Sequence, residues 1–236
     1  MKFRPLILLS LLVISCTAFS QNVKTVKVKK TDLKRDVEMV TDKGTLILRL
    51  SDSTPLHRDN FIRLTKSGFF DGITFHRVIK NFMIQAGDPN TKHPDSAASV
   101  GSGGPGYTIP AEIIPGMFHH KGALAAARMG DQVNPQRESS GSQFYIVQGK
   151  VFTPAGLDSL QNGRLRGYII PEEHRKVYTT IGGAPHLDNQ YTVFGRLIEG
   201  YDVLDAIAEV KTNQRDRPEE DVRIIKARMI KRKKNR

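Results

Sequence analysis

Length, composition and charge set the first limits on this chain. Its 236 residues carry a formal net charge of +12 and suit one domain with extensions, or at most two small domains. Its 20 glycines and 12 prolines indicate many turns, which favours a β-rich fold over a helical bundle. The one cysteine is Cys16, so the chain after it can form no disulfide, no thiolate metal site and no cysteine nucleophile.

The first 20 residues have the features of a secretory signal peptide. Lys2 and Arg4 form a positively charged start, and residues 6–14 form an apolar run that is too short for an ordinary membrane-spanning helix. A small-x-small pattern ends at Ser20, which predicts cleavage before Gln21. We therefore expect an exported protein, most simply a periplasmic one.

Cys16 supports a second interpretation of the same leader. Residues 13–16 resemble a bacterial lipobox, in which the cysteine becomes the lipidated first residue of an anchored envelope protein. We favour cleavage after Ser20 because residues 15–20 form an ordinary polar region before the cleavage site. The sequence leaves both interpretations open: a soluble periplasmic protein, or one attached to the membrane through Cys16.

Basic segments flank the patterned part of the chain. Residues 21–36 are interpreted as a basic N-terminal arm or linker, and residues 231–236 as a basic tail. Basic runs can bind nucleic acid or anionic membranes. Because an exported protein rarely meets nucleic acid, we expect solvated tails, no nucleic-acid partner, and one folded domain over residues 37–230.

The first predicted elements are a hairpin and a helix. Residues 37–50 predict two strands joined by a turn at 41–44. Thr54 and Pro55 predict the start of a helix, with Thr54 as its N-cap and Pro55 at the first helical position. Gly68 ends this helix.

The middle of the chain predicts two more strands and a long loop. Residues 73–79 alternate as a strand does, and residues 82–87 form another strand. Residues 88–110 are rich in glycine and proline and lack an apolar period. This composition predicts a loop without regular structure.

The second half of the chain adds strands, a helix and an insertion. The remaining predicted strands cover residues 122–127, 143–147, 191–198 and 222–227. Residues 201–208 predict a second amphipathic helix. Residues 150–183 are polar and partly helical, and we interpret them as an insertion. About eight strands and two main helices in one domain favour a closed barrel or a sandwich.

The strand after the first helix carries an unusual charge. Alternation places Phe75, Arg77 and Ile79 on one face, so a guanidinium shares an otherwise apolar surface. Such a residue is either a snorkelling edge residue or a functional group on a barrel wall. With Phe82 and Gln85 close behind, the cluster would suit a peptide that carries an apolar ring. The pattern alone leaves the structural and functional interpretations evenly matched.

Four motifs in this chain resemble those of the cyclophilin family. Residues 75–88 match the family signature F-H-R-[VI]-I-x-x-F-M-[IV]-Q-x-G-D throughout. Residues 101–104 resemble its glycine-rich loop, residues 140–146 its N-G-S-Q-F-F-I strand, and residues 186–195 its closing L-D-x-x-x-x-V-F-G segment. The motifs occur in family order over roughly residues 37–230, which is far more specific than one match.

The resemblance implies a mainly β fold: an eight-stranded antiparallel β-barrel capped by two α-helices, with a site on its outer face. It implies that Arg77 is the catalytic residue. Substrate contacts are implied for Phe82, Met83, Gln85, Gly101, Ala127, Arg128, Gln143, Tyr145, His186, Leu187 and Tyr191. The proline pocket would consist of Phe82, Met83, Tyr145 and Leu187, with Tyr191 at its rim.

Four features depart from the family pattern. Tyr145 replaces a pocket phenylalanine, which keeps the ring and adds a hydroxyl. Arg128 stands where the family often has asparagine, and we expect little effect because that contact usually comes from the backbone. His186 stands where many eukaryotic members have tryptophan, so we expect weak binding of cyclosporin-type ligands. Residues 129–140 form a longer and more polar loop, which could alter access to the site.

Other kinds of site find little support in the sequence. Gly101, Gly103 and Gly106 fit a dinucleotide pattern, but the strand and helix that this pattern needs are not predicted around them. His119 and His120 are neighbours, which in a strand point to opposite faces, and no cysteine or matched carboxylate accompanies them. We therefore expect neither a metal ion nor a cofactor.

The sequence thus predicts a peptidyl-prolyl cis-trans isomerase that speeds X-Pro bond rotation in folding or exported polypeptides. Its substrates would be proline-containing unfolded or flexible chains, and we expect a monomer. The alternative is a chaperone or scaffold that holds proline segments in the same pocket, with incidental catalysis. Arg77 favours the enzyme, because a pocket that only binds would not need the guanidinium.

Overall fold

A computed structural model describes residues 26–92, 100–165 and 167–233 of the chain. The predicted signal peptide over residues 1–20 and the alternative lipidation site at Cys16 lie outside the described residues. So do the first part of the N-terminal arm and the last residues of the basic tail. Within the described residues, no helix is both long and apolar enough to cross a membrane.

The described residues form nine strands in one antiparallel sheet. The strands are β1 (Arg35–Thr41), β2 (Gly44–Leu50), β3 (Arg77–Ile79), β4 (Met83–Ala86), β5 (Thr108–Ile109), β6 (Ala123–Arg128), β7 (Ser139–Val147), β8 (Val193–Glu199) and β9 (Ile224–Lys231). Eight of them follow the order β3-β4-β7-β6-β8-β2-β1-β9, and the short β5 pairs with β7. The mainly β, antiparallel fold expected from the sequence is confirmed.

The sheet curls until its two end strands approach each other. The segments before β3 and β9 meet in one isolated bridge, between Thr74 and Arg223. A hydrogen bond of 2.8 Å flanks it on each side, from the Phe75 amide to the Val222 carbonyl and from the Ile224 amide to the Ile73 carbonyl. This pairing also shortens β3, because Ile73 and Phe75 bond to the chain around the start of β9. The His76 amide already donates to the Gln85 carbonyl of β4, and regular pairing with β4 covers only Arg77–Ile79. The result is roughly a half-barrel rather than a barrel closed by continuous ladders.

Four α-helices accompany the sheet in the described part of the chain. They are α1 (Pro55–Lys66), α2 (Pro154–Asn162), α3 (Glu172–Thr180) and α4 (Tyr201–Ala208). The helices α1 and α4 are the two that the sequence predicts as main helices. The other two lie in the predicted insertion, whose partly helical character is therefore present in the structure.

The start of α1 differs from its prediction in one respect. Pro55 occupies the first turn as expected, but within the described residues the Thr54 side chain caps no amide. The Glu112 carboxylate takes that role, accepting from the backbone amides of Leu56 at 3.0 Å and His57 at 2.9 Å. A carboxylate suits this place because the first amides of a helix lack partners and its N-terminus is electropositive.

Aromatic packing between α1 and the sheet fills the core. The Phe61 ring of α1 lies 4.8 Å from Phe70, 5.3 Å from Phe144 and 5.4 Å from Phe194, between ring centroids. All four rings are buried, and tilted or edge-on contacts of this kind add to the free energy of burial. The core therefore lies on the concave face of the sheet, which leaves the opposite face of β3, β4, β6 and β7 available for a site.

A glycine at the first hairpin lets α4 approach the sheet. Gly44 has φ +130°, and a Cβ there would lie 2.6 Å from Cγ2 of Val203 in α4. No other residue type meets both requirements, positive φ and close approach, without strain.

The insertion begins and ends at the same place on the domain. Lys150 and Gly183 exchange backbone hydrogen bonds of 3.2 and 3.0 Å, so residues between them leave and return at one point. Within it, Leu157, Ile170 and Tyr178 form a small buried cluster of their own. The insertion is therefore a packed unit attached at a narrow base, beside the segment that leads to His186.

Candidate active site

A depression on the outer face of the sheet brings most of the predicted site residues together. It is a cavity of about 160 Å³. Nine of the twelve predicted site residues line it: Arg77, Phe82, Met83, Gln85, Ala127, Arg128, Tyr145, Leu187 and Tyr191. The cavity combines apolar rings with a few polar groups, which is typical of small ligand sites.

The register of three neighbouring strands explains this convergence. Arg77 of β3 pairs directly with Gln85 of β4, and Gln85 pairs directly with Tyr145 of β7. Directly paired residues in antiparallel strands project their side chains on the same face. The sequence therefore places a guanidinium, an amide and a phenol in one row across the sheet.

The alternation in the sequence predicted that Arg77 and Phe75 share a face of the sheet. In the structure they do not. Phe75 is buried in the main core, whereas the Arg77 side chain is 45% exposed on the outer surface. The reason is that regular pairing of β3 begins only at Arg77, so Phe75 lies before the strand. Ile79 keeps the outer position and packs against the cluster around the cavity.

An acidic residue beside Arg77 was missed by the sequence analysis. The Arg77 Nε lies 3.5 Å from Oδ2 of Asp216, and the Asp216 carbonyl accepts the Val78 amide at 2.7 Å. Asp216 belongs to the loop between α4 and β9 and has φ +60°. No periodicity or motif spacing in the sequence brings this loop to Arg77, so only the fold reveals the contact.

Two tyrosines and a methionine form the apolar wall of the cavity. Met83 and Tyr145 are almost fully buried, and the Tyr145 and Tyr191 rings meet edge to face at 5.9 Å and 85°. Burial raises the pKa of Tyr145 well above its ordinary value, so its hydroxyl keeps its proton. This part of the cavity is therefore an uncharged, well-packed apolar surface.

Gly101 and Gln143 lie behind the lining residues and connect a loop to them. The Gln85 amide nitrogen donates to Oε1 of Gln143 at 3.0 Å. Gln143 in turn donates to the carbonyls of Gly101 at 3.0 Å and Gly103 at 2.8 Å. The buried Asp88 holds the same loop through the Gly101 and Gly103 amides, a role that the sequence analysis did not identify.

His186 stands at the edge of the cavity. Its ring lies 5.1 Å from the Phe82 ring, tilted by 34°. Burial, reinforced by the nearby positive charge of Arg164, lowers its pKa from 6.5 to about 4. The imidazole is therefore uncharged at neutral pH and acts as an aromatic rim.

The Arg128 side chain contributes more than the sequence predicted. Only 6% of it is exposed, and its guanidinium carbon lies 4.6 Å from the centroid of the Tyr191 ring. Its Nε donates to the Gln190 carbonyl at 2.8 Å, and Nη1 donates to Asp131. The side chain therefore covers Tyr191 and lines the cavity, where only a backbone contact was expected.

A buried polar network lies directly behind Tyr145. The Tyr145 hydroxyl is 2.9 Å from Nε2 of His119, and Nδ1 of His119 is 2.9 Å from Oδ1 of Asp188. Tyr178 donates to the other oxygen of Asp188 at 2.6 Å. No motif in the sequence predicts this role for His119. Within the described residues, no cluster of His, Cys, Asp and Glu is arranged to hold a metal ion.

Comparison with known proteins identifies the class to which this fold and cavity belong. The family model described as cyclophilin type peptidyl-prolyl cis-trans isomerase/CLD matches residues 36–229. The chain therefore belongs to the cyclophilin-type peptidyl-prolyl cis-trans isomerase family and is an enzyme of that kind. The family resemblance of the four sequence motifs is confirmed.

Bacterial relatives and solved structures agree with this assignment. A Staphylococcus haemolyticus protein named as a peptidyl-prolyl cis-trans isomerase is 40% identical over 190 residues, covering 79% of this chain and 86% of the relative. A Staphylococcus saprophyticus protein named likewise is 38% identical over 190 residues, covering 79% and 87%. The cyclophilin-type isomerase of Cryptosporidium parvum superposes with a TM-score of 0.62 at 24% identity, over 84% of this chain and 99% of that one, which supports the fold.

Proposed function

We propose that Arg77 supplies the catalytic interaction of this isomerase. An X-Pro bond rotates slowly because its amide is partly double-bonded, with a barrier of about 18–20 kcal/mol. At the twisted transition state the prolyl nitrogen loses conjugation and regains a lone pair. A guanidinium that donates to this nitrogen, or to the adjacent carbonyl oxygen, binds the twisted state more strongly than the planar one and so lowers the barrier.

The row formed by Arg77, Gln85 and Tyr145 is the observation that carries this proposal. It sets a permanently charged group with several donors at the edge of an apolar cavity. The proline ring would rest on Met83, Tyr145 and the neighbouring rings while the residue before it rotates. Gln85 would orient the substrate backbone beside Arg77.

The proposed substrates are proline-containing unfolded or flexible polypeptides. The cavity of about 160 Å³ suits a single apolar ring, and its open position on the outer face suits an extended chain that runs past it. The Cryptosporidium parvum relative was also solved in the presence of the dipeptide Ala-Pro. A proline-containing segment is the ligand that both observations favour.

Export of the protein is a further part of the proposal. The basic start, apolar run and small-x-small pattern of residues 1–20 support a periplasmic protein acting on exported chains. Lipidation at Cys16 is the alternative, with attachment to an envelope membrane. The intact mass of the protein purified from its native host distinguishes a Gln21 start from a lipidated Cys16.

Catalysed refolding tests the proposed function against a binding role. A protein whose refolding is limited by prolyl isomerisation is refolded with this enzyme far below the substrate concentration. We expect its slow phase, about tens to hundreds of seconds uncatalysed, to shorten in proportion to the enzyme added. Acceleration only near equimolar enzyme would instead indicate that the pocket holds proline segments without turnover.

A further inference from the structure

The hydroxyl of Tyr145 points away from the substrate cavity, into the protein. It lies 2.9 Å from Nε2 of His119, and the two rings are nearly parallel at 12° with centroids 6.0 Å apart. His119 is fully buried, so this hydrogen bond has no competition from water. The cavity therefore receives the face of the tyrosine ring, while its hydroxyl is held from behind.

The Asp188 carboxylate fixes the direction of that hydrogen bond. Its Oδ1 lies 2.9 Å from both the backbone amide and Nδ1 of His119. A carboxylate only accepts hydrogen bonds, so Nδ1 carries the imidazole proton. In that tautomer Nε2 is an acceptor, and the Tyr145 hydroxyl donates to it.

The insertion contributes the last member of this chain of contacts. Tyr178 of α3 is fully buried and donates to Oδ2 of Asp188 at 2.6 Å. The residue directly after the insertion is bonded to the same histidine, because the Ala184 amide donates to the His119 carbonyl at 2.8 Å. Tyr178 of α3 is thus connected to Tyr145 in the cavity wall through two buried residues, Asp188 and His119.

We propose that His119, Asp188 and Tyr178 are positioning residues for Tyr145, and that the insertion over residues 150–183 serves to support the proline pocket from behind. This inference rests on the proposed function, which assigns Tyr145 to the proline pocket. A phenylalanine ring at this place would be held by packing alone. The tyrosine is held by a directional bond as well, so its position depends on the insertion.

This arrangement predicts an effect on substrate binding rather than on the chemical step. A ring that tilts when its support is lost presents a poorer surface to proline in both the planar and the twisted state. Weakening both states equally raises KM and leaves kcat unchanged. Arg77 is not part of the network, so the donor to the twisted amide is unaffected.

Removal of one hydroxyl tests the proposal, with a matched control elsewhere in the chain. Tyr178→Phe removes the donor to Asp188, and Tyr107→Phe removes a hydroxyl that donates to Asn60 at 2.6 Å, outside the cavity. KM and kcat for a proline peptide are measured on both variants, at a temperature where circular dichroism shows them folded. We expect about a threefold or greater rise in KM for Tyr178→Phe alone, with kcat unchanged. Equal KM values for the two variants would overturn the proposal.

A double-mutant cycle shows whether the effect passes through Tyr145. In a Tyr145→Phe background, Tyr178→Phe should leave KM unchanged, because the hydroxyl on which the network acts is gone. The same rise in KM in both backgrounds would contradict the positioning role.

A spectroscopic readout separates this inference from the proposed function. With ring-labelled ¹³C-tyrosine, the Tyr145 signal, assigned by its loss in Tyr145→Phe, should shift in Tyr178→Phe and stay in place in Tyr107→Phe. An unmoved signal overturns the positioning role whatever the turnover. A shifted signal in a protein without isomerase activity would uphold the network and contradict the proposed function instead.

Discussion

The guanidinium of Arg77 and the carboxylate of Asp216 form an ion pair at the mouth of the cavity, with 3.5 Å between Nε and Oδ2. Both side chains are close to half exposed, at 45% and 43%, so water and salt weaken their attraction. The backbone of Asp216 is tied to the strand of Arg77 through the Val78 amide. The carboxylate therefore orients the guanidinium without cancelling its charge. The N–H donors of Arg77 stay available to substrate.

Asp216→Asn should lower kcat by about two- to fivefold, the range that corresponds to an exposed ion pair. The amide keeps the shape of the side chain but no longer holds the guanidinium by charge. Glu209→Gln is the matched control, because it removes the carboxylate that pairs with the exposed Lys80 at 2.6 Å. Steady-state kinetics on both variants check this expectation. A kcat for Asp216→Asn that equals or exceeds the wild-type value would refute the steering role.

Gln143→Leu should detach the Gly101 loop from the site. The variant loses the donor to the Gly101 and Gly103 carbonyls and leaves the Gln85 amide without its acceptor. We expect a loss of unfolding free energy of about 1–3 kcal/mol and a several-fold fall in kcat/KM. Urea denaturation and peptide kinetics measure the two effects. Unchanged kcat/KM in a destabilised but folded variant would show that the loop is not needed for substrate binding.

The lowered pKa of His186 makes stability depend on pH in a defined window. The unfolded chain binds a proton at this residue near pH 6.5, whereas the folded protein binds it only near pH 4. The unfolded state thus holds more protons between these values, so stability is full above about pH 6.5 and falls as pH drops towards 4.

His186→Phe, which keeps a ring against Phe82, should remove this contribution. Unfolding free energies are compared from pH 7 down to pH 4 for the variant and the wild type. We expect the wild type to lose more stability than the variant over that range. Parallel curves would mean that the imidazole is not buried as the fold indicates.

The same residue bears on inhibitor binding. Because His186 stands where many eukaryotic cyclophilins carry tryptophan, cyclosporin-type ligands should bind the wild type weakly and His186→Trp more tightly. Isothermal titration calorimetry on both proteins measures the affinities. Tight binding by the wild type would show that the rim residue does not control this preference.

Much of the cavity could be predicted from the sequence because its residues lie in contiguous motifs. Arg77 and Gln85 come from one hairpin whose signature is unbroken, and the strand at Tyr145 matches a second motif. Asp216 carries no such signal, since it reaches Arg77 from a loop more than a hundred residues away along the chain.

Long-range polar contacts account for the other differences. Thr54 has the residue type of an N-cap, yet Glu112 caps the helix because the fold delivers a carboxylate to that end. The role of His119 could not be predicted from the sequence either. Its imidazole contacts Asp188 of the closing motif, and Asp188 in turn contacts Tyr178 of the insertion. Sequence patterns report local periodicity, whereas these contacts depend on which distant segments the sheet brings together.

If Arg77 lowers the barrier to prolyl rotation, its removal must slow isomerisation of a proline peptide, which a protease-coupled assay measures. Lys80→Ala is the matched control, since it removes another exposed cation close to the same strand. We expect Arg77→Ala to fold normally and to lose at least about tenfold in kcat/KM, or about 1.4 kcal/mol of transition-state stabilisation, while the control keeps its activity. A folded Arg77→Ala variant with wild-type activity would show that the guanidinium does not stabilise the twisted amide.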